Sequence, residues 1–182
     1  MLNPSLWVIG AEGDKEDDTM QTRTEKGGKN SEGPIGTGLV IERRFTTVGE
    51  DPFDQFDWIE MDVEIRNADG SLAHRIDDVR LPSGFSGVAG KVLAQKYLRK
   101  AGVPAILRKV KEKGVPTWLQ RSEPDHEKLQ SLDPEKRFIG ESHGRELFRR
   151  LAGTWTYWGW KHGYFEAEAD ARAYFDEMCY LI

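Results

Sequence analysis

Between Gly153 and Phe165 the chain reads GTWTYWGWKHGYF, and these thirteen residues hold three of its six tryptophans and two of its five tyrosines. Trp and Tyr carry large apolar surfaces and one polar handle each, so such a block must cover, or be covered by, something else. Three uses meet that demand: a ligand platform, a stacking surface for nucleic-acid bases, or a piece of core. The flanks narrow the choice. Upstream, Ser142 to Trp155 keeps Leu147, Phe148, Leu151 and Trp155 on one helical stripe. Downstream, Glu168 to Ile182 keeps Ala171, Tyr174, Phe175, Met178 and Ile182 on another. Glu166, Glu168 and Asp170 suit the positive end of that second helix. Its stripe reaches Ile182 with no Gly, Pro or basic turn to close it, which predicts that it packs on a surface outside this chain and that the chain is truncated.

Charge decides against nucleic acid. The 182 residues carry a formal net charge of -5, whereas affinity for phosphate backbones comes from clustered Lys and Arg. The run RKVKEK, Arg108 to Lys113, contains an acid and reads as a solvated face. One cysteine, Cys179, permits no internal disulfide, and its place beside Met178 in an apolar helix end predicts a buried small hydrophobe. No apolar run approaches the roughly 18 residues of a membrane span, and no signal-like segment opens the chain, so a cytoplasmic, membrane-free protein is expected.

From Ala11 to Gly36 charge, Gly and Ser dominate, so residues 1–37 are expected to form a disordered tail or an upstream extension, with the ordered domain over 38–182. Within it Ile59, Met61, Val63 and Ile65 alternate into the turn residues Asn67 to Gly70, which predicts a β-hairpin whose return strand stops at Pro82. SGVAGKVLAQKYLRKAG predicts a helix of about four turns, with Ser86 as N-cap and Gly102 and Pro104 as its stop. The prolines between Val103 and Gly140 predict a surface connector with a short helical turn around EKLQSL. The expected fold class is α+β, mainly helical with one β-hairpin.

No constellation for chemistry emerges. GFSGVAGKV fails as a phosphate loop at both Phe85 and Val92, and Gly87 and Gly90 instead predict close approach of a helix face. His74, His126, His143 and His162 lack metal-ligand spacing, and His162 fits a turn. Asp77 and Asp78 read as solvated turn residues. No catalytic, cofactor-binding or metal-ligating residue is assigned.

From Gly38 onward the chain resembles the N-terminal region of the adenosylcobalamin-dependent, class II ribonucleotide reductases. The resemblance is carried by GLVIERRFT, LAQKYLRKAGVP, EKGVPTWL and, above all, LAGTWTYWGWKHGYFEAEADARAYFDEMCYLI. It departs from the family around LPSGFSGVAGKVL, where Phe85 stands for a Trp and Gly87 for a Gln. The resemblance implies that the full enzyme continues into a ten-stranded α/β barrel holding the radical and redox cysteines and the cobalamin contacts, none of which has a position in this sequence. It further implies that Trp155, Trp158, Trp160, Tyr164, Phe165, Phe175 and Met178 serve assembly and packing against that barrel. Adenosylcobalamin, ribonucleotide substrate and nucleotide effectors would belong to the full enzyme, a homo-oligomer. The alternative is a free-standing protein-interaction module using exposed aromatics.

Overall fold

In a computed structural model of the chain, residues 38–85 and 87–182 are described. The tail expected over residues 1–37 and the Ser86 N-cap lie outside the described residues.

The alternating stretch forms the expected hairpin, with β1 (Trp58–Arg66) antiparallel to β2 (Leu72–Pro82) and Ile59 opposite Leu81. The turn closes through the Gly70 amide on the Asn67 carbonyl at 3.0 Å, with Gly70 at φ 84°. Asp69 accepts from the Ser71 amide and hydroxyl, which locks the turn further. Asp77 and Asp78 are not in a turn. The register passes from Met61 opposite Val79 to Val63 opposite Ile76, so Asp77 and Asp78 together face Asp62 in a bulge, with Asp78 at φ 53°. Arg75 bridges Asp62 and Asp77 across it. Val63, Val79 and Leu81 are fully buried on the inner face.

α1 (Gly87–Lys96) lies on this face and is shorter than expected. Gly90 sits against Met61 and Leu81, where an added Cβ would come within 3.0 Å of both; Gly87 has open space around it. The helix stops early because Glu141 takes over the backbone that would continue it. Its carboxylate accepts the Arg99 amide at 2.9 Å, and the Arg99 carbonyl accepts the Glu141 amide at 2.7 Å. The connector is more structured than its prolines predict. β3 (Val103–Pro104) and β4 (Leu107–Lys109) pair with β6 (Phe138–Ile139) and β5 (Ser122–Pro124) respectively, and α2 (His126–Gln130) supplies the short helix.

α3 (Gly144–Lys161) carries most of the aromatic block inside a helix of 18 residues. His143 caps it through Nδ1, which accepts the Arg145 amide, while Glu146 accepts back from the His143 amide. α4 (Glu168–Leu181) returns against it. The apolar stripe expected to await an outside partner is instead core of this chain. Ala171 and Phe175 are buried, Met178 and Ile182 pack on the same cluster as Phe53, Leu81, Leu93 and Phe148, and Trp118 covers the Phe175 ring at 5.7 Å between centroids. Periodicity identified the face correctly; the cover comes from Trp118 and the 3-10 turn Pro52–Gln55.

Residues 38–46 form a strap held along α4 by that helix's acids. Asp170 accepts the Ile41 amide at 2.8 Å, Asp176 pairs with Arg43 at 2.7 Å, and Glu177 accepts the amides of Arg44, Phe45 and Thr46 together with the Thr46 hydroxyl. Burial works to raise the Glu177 carboxyl, but these donors together outweigh it and hold it below the ordinary value.

Candidate functional site

The end of α3 builds a cavity. After Lys161 the His162 amide still bonds back to the Trp158 carbonyl, Gly163 turns at φ 68°, and the Tyr164 amide returns to the Gly159 carbonyl at 2.9 Å. This turn brings the Phe165 ring under Gly159, where an added Cβ would stand 2.7 Å from the ring. Tyr174 of α4 meets Phe165 at 5.4 Å between centroids. The strap closes another side: the Leu39 amide donates to the Tyr164 carbonyl at 2.7 Å and the Leu39 carbonyl accepts from Glu166 at 3.2 Å.

The result is a half-open cavity of about 650 Å³ lined by Leu39, Ile41, Trp155, Trp158, Gly159, His162, Tyr164, Phe165 and Tyr174. Its volume falls in the range of small-molecule sites. Trp158 and Tyr164 are 50% and 60% exposed at its mouth. Burial alone pushes the Tyr174 phenol up, so it stays a neutral hydroxyl.

Of the seven residues expected to serve assembly, Trp155, Trp158, Tyr164 and Phe165 meet in this cavity. Trp160 points elsewhere, packing with Val115, Leu119 and Tyr157 and donating to the Gly114 carbonyl at 2.6 Å. Phe175 and Met178 belong to the main core. Sequence reasoning missed Leu39 and Ile41, although GLVIE carries them at alternating positions, because nothing in the sequence ties that segment to α4. It also missed Glu112, the acid inside the basic run, which accepts from the Tyr157 hydroxyl at 2.9 Å and pairs with Lys161 and Arg121.

Cys179 is 3% exposed and burial pushes its thiol up, the opposite of an activated thiolate. Among the described residues no cluster of three or more His, Cys, Asp or Glu is arranged to hold a metal ion, and no helix is long and apolar enough to cross a membrane.

Residues 60–182 match the family described as class II vitamin B12-dependent ribonucleotide reductase. The chain belongs to that family. It is 50% identical over 144 residues to a vitamin B12-dependent ribonucleotide reductase of Bradyrhizobium diazoefficiens, covering 79% of this chain and 12% of that protein. A protein of the same name from Agrobacterium fabrum is 48% identical over 144 residues, covering 79% and 11%, and one from Streptomyces avermitilis is 28% identical over 157 residues, covering 85% and 13%. The chain thus spans about an eighth of the length of these curated relatives. The vitamin B12 dependence in these names is that of the whole relatives, of which this chain covers 11 to 13%.

Proposed function

We propose that this chain is the N-terminal domain, over residues 38–182, of an adenosylcobalamin-dependent ribonucleoside-diphosphate reductase, and that it acts by assembly rather than by chemistry. The whole enzyme replaces the ribose 2′-hydroxyl of a ribonucleotide by hydrogen, providing deoxyribonucleotides for DNA synthesis in the cytoplasm. A ten-stranded α/β barrel supplies the reacting cysteines, the substrate and effector contacts and the cobalamin platform, and the full enzyme is a homo-oligomer. Trp155, Trp158, Tyr164 and Phe165 present a seat for that portion. Trp160, Phe175 and Met178 hold the seat in shape from behind.

The observation that carries this reading is the 50% identity with a named vitamin B12-dependent reductase over 144 residues, joined to a lone, deeply buried thiol. Nucleotide reduction on several exchanging thiols has no counterpart here. The test assays this chain with adenosylcobalamin, a dithiol and ribonucleoside diphosphates, alone and mixed with the Bradyrhizobium reductase lacking its matching region. Turnover only in the mixture is expected. Turnover by the chain alone would overturn the proposal, as would failure of the two pieces to associate.

A further inference from the structure

α1 turns Gly90, Leu93 and Ala94 inward, and Gln95 ties its side to the hairpin by donating to the Glu64 carbonyl at 3.4 Å. The helical period therefore sends Val88 and Val92 outward together, with exposed Lys91 on one flank of the pair and exposed Lys96 on the other. Val88 is 75% exposed and Val92 47%. Valine is a weak helix former, so neither side chain stands there for the sake of the helix itself. The two lysines have no counter-charge. Among the described residues Lys128, Lys136 and Lys161 pair with carboxylates, whereas no carboxylate pairs with Lys91 or Lys96.

We infer that this outward face of α1 receives an acidic segment bearing aliphatic side chains, carried by the remainder of the reductase. The inference rests on the assembly role proposed above and deepens it by adding a second contact of stated chemistry. Aliphatic groups of the partner cover the valine pair, and Asp or Glu beside them meet Lys91 and Lys96 at the rim, the arrangement of an apolar centre within a charged border. A purely apolar partner would strip water from two ammonium groups and return no charge to them. A second copy of this chain fits less well. α1 itself holds no acid, and the hairpin acids Glu60, Asp62 and Asp77 are already matched by Arg80 and Arg75. Nucleic acid fits less well too, since the chain carries a formal net charge of -5. α1 lies within residues 60–182, the region the family shares, and that region matches only 12% of the Bradyrhizobium protein, so most of that chain is left to supply the segment.

Two measurements test the contact, the first without the rest of the enzyme. A helical peptide of repeated Glu-Leu-Leu-Glu units is titrated into this chain and the α1 amides are followed by NMR, with the Gln-for-Glu peptide as control. A saturable shift across α1 is expected, about tenfold weaker with the Gln peptide and in the surface variant Lys91→Glu with Lys96→Glu. No shift, an equal response to both peptides, or tighter binding of a DNA duplex or of phosphatidylserine vesicles overturns the inference. In the second, residues 38–182 replace the matching region of the whole Bradyrhizobium reductase, and acetylation of Lys91 and Lys96 and nitration of Tyr164 are compared between this hybrid and the isolated chain. Lysine labelling about tenfold slower in the hybrid is expected, with carbodiimide joining those lysines to Asp or Glu of the remainder. Tyr164 shielded while both lysines stay reactive overturns the α1 contact and leaves assembly standing. The lysines shielded while Tyr164 stays reactive supports the α1 contact and removes the aromatic seat. Neither shielded overturns both, and carbodiimide products between two copies of residues 38–182 overturn the inference by giving the face to a second copy.

Discussion

Arg43 and Asp176 are 133 residues apart in sequence, yet the Arg43 guanidinium stands 2.7 Å from the Asp176 carboxylate, whose side chain is only 2% exposed. Arg172, one turn earlier on α4, completes the pair from the other side. The strap is thus joined to α4 by a buried charge. Removing one partner of such a pair costs more than the pair contributes, because the other charge is left without compensation. Asp176→Ala is expected to destabilise the fold by about 3 kcal/mol. Urea unfolding measures it, and hydrogen exchange should rise first at the amides of residues 44–46. An unchanged urea midpoint would show that the strap is not anchored there.

The pH dependence comes first from the α3 cap. Burial, then Arg145, Arg80 and Arg149, hold the His143 imidazole below its ordinary value of 6.5. The unfolded imidazole takes up its proton near that value and the folded one only lower, so the unfolded state binds more protons in the window between. Stability is therefore expected to fall as the pH drops below about 7, reaching its limit at the folded value. Protonation also removes the Nδ1 lone pair that accepts the Arg145 amide. His143→Asn keeps a capping acceptor without a titrating group, and it should flatten the stability profile below about pH 7. A variant profile as steep as the natural one would move the origin elsewhere.

Gly159→Ala sets two effects against each other. Alanine in a helix gains about 1 kcal/mol over glycine, but overpacking a filled site costs about 1 to 3. Here the new methyl meets the buried Phe165 ring at 2.7 Å, and that ring is backed by Tyr174. The clash is expected to win by about 1 kcal/mol, with the Phe165 ring displaced into the cavity. A stabilised Gly159→Ala would show that the ring gives way freely.

Cys179 should be silent in the folded protein. A 3% exposed thiol raised by burial offers neither access nor thiolate, so an aromatic disulfide reagent is expected to label it only when urea unfolds the chain. Rapid labelling in buffer would mean that α4 opens locally.

What the sequence made legible follows from the range of each signal. The hairpin and the two long helices declare themselves within a window of ten to twenty residues, and Ile59 to Gly70 or Glu168 to Ile182 are read from their own period. The clasp between residues 41–46 and α4 has no local signature, since its partners are polar and lie some 130 positions apart. The pairing of Val103 with Ile139 is equally invisible, being two residues long and closed across the connector. The cavity was half legible: its aromatic richness stood out, but Leu39 and Ile41 enter only through that clasp.

The α4 stripe gives the sharpest test of what covers it. Phe175 is 7% exposed and sits between Trp118 and Arg172, with the Asp176 carboxylate next along the helix. If the stripe awaited an outside partner, Phe175→Asp would relieve stickiness and leave the fold intact. Seated in the chain's own core, it acts otherwise. Deleting a buried phenylalanine ring costs about 3 to 5 kcal/mol, and a carboxylate placed there adds an unpaired buried charge beside an existing one. Small domains hold only about 5 to 15 kcal/mol in total, so the variant is expected to be largely unfolded. Tyr164→Asp supplies the contrast, because Tyr164 is 60% exposed at the cavity mouth and its replacement should shift stability by no more than about 0.5 kcal/mol. Far-ultraviolet circular dichroism and urea midpoints for the two variants decide it: a folded, soluble Phe175→Asp protein with the natural midpoint would return the stripe to the surface.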